Sequence, residues 1–129
     1  MTKRVTGLGG VFFKVKDRKV MTEWYKKHLG LNIEEWGGIM FQWADLPAIN
    51  PDAYSMISFF DQNSDQVQPS SKDFMLNLVV DDLFALVDAL RNEGIELIGE
   101  PSDTEFGKFA SIMDPEGNKL ELWEPAKTK

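Results

Sequence analysis

A repeat in helix punctuation constrains this chain more than any other feature. Asp17 and Gly30 stand 13 residues apart, and so do Asp81 and Gly94, at an offset of about 64 residues. An aspartate ahead of a helix accepts hydrogen bonds from the unpaired N–H groups of the first turn, and a glycine behind it takes the left-handed turn that ends the helix. Between these markers the apolar residues keep a helical period: Met21, Trp24, Tyr25 and Leu29 in the first segment, Leu83, Leu86, Val87 and Leu90 in the second. Such a stripe belongs to a helix lying on a sheet.

Strand-like runs flank both segments. Val11–Lys16 and Phe74–Val80 precede them. Leu31–Trp36, Ile39–Trp43 and Tyr54–Phe60 follow the first; Glu96–Ile98, Phe106–Met113 and Lys119–Trp123 follow the second. The order β, α, β, β, β thus occurs twice. The expected fold is α+β: two βαβββ modules forming a curved mixed sheet around a cleft, with the helices outside. Module one spans about residues 8–60 and module two about 74–125, joined by the polar linker Asp61–Asp73 with its Pro69-Ser70-Ser71. Each half is small for an independent core, so residues 1–129 are read as a single domain. Asp114-Pro115-Glu116-Gly117-Asn118 reads as a turn between two strands, because proline presets one φ and glycine supplies a positive one.

Composition narrows the function classes. The chain has no cysteine, which removes disulfides, zinc–thiolate sites and a thiol nucleophile together. A formal net charge of -7 disfavours nucleic acid and anionic membrane surfaces and favours the approach of cationic small molecules. No run approaches the roughly 20 apolar residues of a membrane helix. After the basic Met1–Arg4, Gly7-Leu8-Gly9-Gly10 interrupts any secretion-like apolar stretch, so the expected location is cytoplasmic. The same glycines lack the strand-before, helix-after setting of a phosphate loop. His28, the single histidine, sits near the end of the first helix, where the helix dipole favours a cation. It offers neither an imidazole metal pair nor a placed general base.

Phe109-Ala110-Ser111-Ile112-Met113-Asp114-Pro115-Glu116-Gly117-Asn118-Lys119-Leu120-Glu121-Leu122-Trp123 resembles the C-terminal signature of the glyoxalase/bleomycin-resistance/extradiol-dioxygenase (vicinal oxygen chelate) superfamily. Val15-Lys16-Asp17, Trp24-Tyr25 and Leu29-Gly30-Leu31 resemble that superfamily's first helix, and the likeness covers about residues 8–125. The resemblance implies a two-module fold with one cleft. In metal-dependent members it also implies four His or Glu ligands, from the first and last strand of each module. Carried over, those positions fall on Gly10, near Ser58, on Met75 and on Glu121. Glycine has no side chain, and methionine is a poor ligand for hard divalent ions. The expectation is therefore no metal and no cofactor, with Glu121 as the one residue of a catalytic type.

Strand alternation gives the rest of the lining. With Glu121 facing the cleft, Lys119 and Trp123 face it too, while Leu120 and Leu122 pack on the helices. Gly10, Phe12 and Lys14 share that face on the first strand, with Val11, Phe13 and Val15 for the core. Met56, Ser58 and Phe60 face the cleft on the fourth strand, and Met75, Asn77 and Val79 on the fifth. The candidate ligand-binding residues are thus Phe12, Lys14, Ser58, Phe60, Met75, Asn77 and Trp123. Trp36, Trp43 and Trp123 serve equally as core or interface aromatics. Without a metal, Glu121 needs a polar partner. Lys14 lies four residues from Gly10, about 13 Å along a strand, so Asn77 is the better candidate.

Three functions compete. One is a binding protein that holds a small aromatic or cationic molecule in an apolar cleft. A second is a metal-dependent lyase or isomerase resembling lactoylglutathione lyase. A third is an interaction module with a vestigial cleft. Small members of the superfamily usually form homodimers, and 4 Trp with 9 Phe exceed what one core plainly needs, so a homodimer is expected.

Overall fold

The computed structural model describes residues 10–42 and 54–126. Trp43 lies outside them. Among the described residues two helices and four strands run in the order α1 (Arg18–Leu29), β1 (Leu76–Val79), α2 (Leu83–Asn92), β2 (Ser102–Thr104), β3 (Gly107–Met113) and β4 (Lys119–Pro125). The strands form one sheet in the order β1-β4-β3-β2. β1 lies parallel to β4, and the other two pairings are antiparallel.

Both helices start where an aspartate caps them. The Asp17 carboxylate accepts from Val20 N at 3.1 Å, and Gly30 closes α1 in the left-handed region at φ 68°. For α2 the cap is Asp82, which accepts from Ala85 N at 3.2 Å, and not Asp81 as the 13-residue spacing suggested. Each helix start also receives an acid from the β3–β4 hairpin. Glu116 accepts from Lys16 N at 2.7 Å and Asp17 N at 2.9 Å, while Glu124 accepts from Leu83 N at 2.9 Å. Both helix N-termini are thus held in the same way, by a capping aspartate and a hairpin glutamate.

The core lies between the helices and one face of the sheet. Met21 and Tyr25 of α1 meet Leu83, Val87 and Leu90 of α2 over Ala110, Ile112, Leu120 and Leu122. The apolar stripes of both helices and the inward parity of Leu120 and Leu122 are as expected. His28 Nδ1 lies 2.6 Å from Glu93 Oε1, so the lone histidine ties α1 to the end of α2.

The strands of the first half differ from expectation. Among the described residues no strand precedes Leu76. Residues 10–16, 31–42 and 54–60 carry β-prone side chains but join no ladder; only a turn closes at 34–38, where Glu34 N donates to Gly38 O at 2.8 Å. Strand preference is a preference for a half-buried pleated surface. Many of these side chains have none: Phe12 is 94% exposed and Phe59 is 93% exposed. Val11, assigned to the core, is exposed, whereas Phe13 and Val15 pack against the core. In the second half Glu96–Ile98 forms no strand, although Ile98 N donates to Ser111 O at 2.8 Å. β2 was not anticipated. The segment 61–73 is more than a linker, because Ser70 Oγ donates to the Gly117 carbonyl oxygen and Lys119 holds its backbone.

Candidate functional site

The face of the sheet turned away from the helices carries the candidate site. Along β4, Leu120 and Leu122 are fully buried in the core, which turns Lys119, Glu121 and Trp123 to the other side. The parallel register sets Asn77 beside Glu121 and Val79 beside Trp123. The antiparallel register sets Ser111 and Phe109 at the same two levels on the opposite flank. Two rows result: Asn77, Glu121 and Ser111 in one, Val79, Trp123 and Phe109 in the next.

The polar row is joined at one contact. Asn77 Nδ2 donates to Glu121 Oε1 at 2.8 Å, the partner preferred over Lys14 from the sequence. Glu121 is half-buried and Asn77 exposed, and no cation pairs with Glu121 among the described residues. A carboxylate needs a donor when water is taken from it, and one amide supplies a single hydrogen bond.

The apolar row is more closed. Trp123 is only 3% exposed. Its ring stacks on Phe109 at 6.1 Å and meets the edge of Tyr54 at 5.4 Å. Its indole N–H donates to Phe106 O at 2.9 Å. A molecule on this face therefore meets Tyr54 and Val79 before it meets the indole. Lys119 is committed as well: its ammonium donates to Gln66 O at 2.7 Å and Gln68 O at 2.9 Å, so it anchors residues 66–68 instead of pointing free at the rim.

Of the candidate residues, Asn77, Glu121 and Trp123 stand together on this face, and Met75 lies half-buried just before β1. Phe12, Lys14, Ser58 and Phe60 are exposed on segments outside the sheet. No hydrogen bond, ion pair or ring contact among the described residues joins them to Glu121. Among the described residues the first-half segments expected to form the opposite wall join no ladder, so no cleft wall is seen over this face. Ser111 and Phe109 on β3 also belong to this face and are absent from the expected lining. Counting across the Asp114–Asn118 turn finds them, since Met113 and Lys119 are partners and each further pair steps outward by one. The contact of Tyr54 with Trp123 has no such signal.

Among the described residues the donor set around Glu121 does not fit a divalent metal. Around Glu121 stand an amide, a hydroxyl and apolar side chains, and the inherited ligand positions are Gly10, Ser58 and Met75. Hard cations take several oxygen ligands, usually with more than one carboxylate. Among the described residues no three His, Cys, Asp or Glu converge.

A hollow of about 420 Å³ lies apart from this face, at the end of α2 between Arg91, Ile95, Leu97 and Glu100. Arg91 pairs with Glu100 at its rim at 3.7 Å, Glu96 is exposed, and among the described residues no buried polar side-chain atom is left without a hydrogen-bond partner. The chemistry therefore favours the sheet face over this hollow.

A four-stranded mixed sheet covered by two helices on one face, with an Asp-Pro-acid-Gly-Asn hairpin at its end, defines a glyoxalase-type α+β protein. The profile of the Glyoxalase/Bleomycin resistance protein/Dioxygenase superfamily matches residues 7–122, and the chain belongs to that superfamily. No curated protein matches it. Solved structures share its fold at low identity. TnmS3, an antibiotic binding protein from Streptomyces sp. CB03234, aligns with a TM-score of 0.62 at 20% identity, covering 97% of this chain and 100% of that one. The integron cassette protein VCH_CASS1 from the mobile metagenome of V. cholerae gives 0.61 at 17%, covering 98% and 100%. A glyoxalase/dioxygenase from Nostoc punctiforme gives 0.55 at 17%, also over 98% and 100%. No helix among the described residues is long and apolar enough to cross a membrane.

Proposed function

We propose that this chain is a cytoplasmic protein that binds a small aromatic or cationic molecule against the open face of β1, β4 and β3, without a metal. The observation that carries this reading is the Asn77–Glu121 pair at 2.8 Å, a single braced carboxylate set beside an apolar row. Small-molecule sites combine mostly apolar lining with a few placed polar groups. The antibiotic-binding fold-mate supports the same reading. Met75, Asn77 and Trp123 contribute to the face itself. Phe12, Lys14, Ser58 and Phe60 are proposed to reach the ligand from the first half of the chain. A thermal-shift screen of aromatic and cationic compounds beside divalent metals tests this. Stabilisation by organic compounds is expected, and Asn77→Ala or Glu121→Gln should reduce the share of it that depends on a cationic group. Stabilisation by metal alone would overturn it.

The second reading is a metal-dependent lyase or isomerase of the lactoylglutathione-lyase type, favoured by a Glu at position 121 on the last strand. Stoichiometric divalent metal in purified protein would support it, and the donor set argues against it. We also propose a homodimer, since Phe12, Ile57 and Phe59 are exposed by 94%, 69% and 93% and a second copy would cover them. Sedimentation at micromolar concentration is expected to give twice the chain mass; a monomer refutes it.

A further inference from the structure

We propose that Glu121 selects ligands carrying an organic ammonium group, which donates to its second carboxylate oxygen while Asn77 acts as the positioning residue. This rests on the binding reading above and goes further by naming the ligand's charge and head group.

The polar row offers acceptors and no cation. Glu121 Oε1 already takes the Asn77 amide at 2.8 Å. Among the described residues no hydrogen bond engages Glu121 Oε2, Asn77 Oδ1 or the Ser111 hydroxyl. The one lysine on the same strand face, Lys119, spends its ammonium on Gln66 O and Gln68 O. An ammonium group carries three N–H donors and no acceptor, which matches a row made of a carboxylate, an amide oxygen and a hydroxyl. A neutral aromatic body laid over the same row would strip water from Glu121 and return nothing. An anion meets both that carboxylate and a chain of net charge -7. The next row along the strands, about 7 Å away, is apolar and presents Val79 and Tyr54. A cation with a hydrophobic body spans the two rows. A bare metal ion uses only the first, and finds too few anionic ligands there.

The test uses three probes of one shape: 2-phenylethylammonium, 2-phenylethanol and phenylacetate. Binding is read from the NMR shifts of the Asn77, Ser111 and Glu121 backbone amides on titration. We expect the ammonium probe to bind roughly tenfold more tightly than the alcohol, as charge-assisted hydrogen bonds exceed neutral ones. Added salt should weaken the ammonium probe and leave the alcohol unchanged. Glu121→Gln should bring the two to parity while the alcohol still binds. The salt comparison needs no variant and decides the matter if Glu121→Gln fails to fold. Parity of cation and alcohol in the unaltered protein, with both binding at this face, overturns the ammonium proposal and leaves the binding reading standing. If none of the three probes moves these amides, the binding reading falls and this proposal with it.

Discussion

The Tyr25 hydroxyl donates to Asp114 Oδ2 at 2.8 Å, a buried bond between the middle of α1 and the first residue of the turn that joins β3 to β4. The same carboxylate accepts from Glu116 N, Asn118 N and Asn118 Nδ2, each at 2.8–2.9 Å. Two sequence motifs 89 residues apart are thus one physical unit. Tyr25→Phe leaves Asp114 its other donors and should cost about 1 kcal/mol. Asp114→Ala strands a buried hydroxyl and a buried amide together and should cost about 3 kcal/mol or more. Urea unfolding checks both as shifts in midpoint at constant slope.

Burial, and then the bond to Asp114, push the Tyr25 phenol far above its ordinary value. A raised folded value means that the stabilisation is complete below the unfolded tyrosine range, about pH 10, and is lost as pH rises beyond it. In a Tyr54→Phe background Tyr25 is the only tyrosine. Its phenolate absorbance should not develop through that range while the protein is folded, and should develop once denaturant is added. Normal titration in the folded state would contradict the buried bond.

Glu116 makes the opposite case. Its carboxylate accepts from the Lys16 and Asp17 amides, and those bonds lower its pKa. A lowered folded value gives stability that is present above the ordinary glutamate range, near pH 4.3, and lost as pH falls through it toward the folded value. Glu116→Gln should therefore be less stable than the unaltered chain at neutral pH and converge with it in acid. Urea midpoints measured from pH 7 down to pH 3 report this directly; a difference constant with pH would rule it out.

These contacts mark where the sequence was legible. Periodicity placed both helices, because an apolar stripe has a single good orientation against a sheet. Parity placed Glu121 opposite Leu120 and Leu122, and so found Asn77. What failed depends on partners that local pattern does not encode. Asp81 and Asp82 are both plausible caps, and only the chain's approach from β1 makes Asp82 the one that reaches Ala85 N. Residues 54–60 have strand composition, yet a strand needs a neighbour, and among the described residues the ring contact they make reaches from Tyr54 to Trp123. Lys119 reads as a rim cation until the backbone of 66–68 is seen to occupy it.

His28 and Glu93 couple the two helices at 2.6 Å, with side chains 9% and 39% exposed. The histidine is well covered and the glutamate is not, so solvent screens much of the attraction. A double-mutant cycle of His28→Ala and Glu93→Ala should give a coupling of about 0.5–1 kcal/mol. A coupling of zero would mean that each side chain is independently satisfied by water.

Lys119 supplies the last expectation, and it concerns mobility more than global stability. Its ammonium clasps the carbonyls of Gln66 and Gln68, while Ser70 Oγ donates to the Gly117 carbonyl and accepts from Lys72 N. Local turns complete the segment: Gln68 N donates to Asp65 O and Ser70 N to Val67 O, each at 3.0–3.1 Å. Lys119→Met keeps the apolar stem opposite Met113 in the ladder but removes both charged donors. The carbonyls regain water easily at the surface, so the global cost should be small, about 1 kcal/mol or less. Opening of this segment should become easier by a similar amount, since local stability follows the local bonds. The Gln68 and Ser70 amides should then exchange with solvent severalfold faster, while those of Leu120 and Leu122 keep their protection. Uniformly faster exchange across β4 would instead assign Lys119 a role in the sheet itself, and unchanged exchange at Gln68 would show that the turns hold this segment without it.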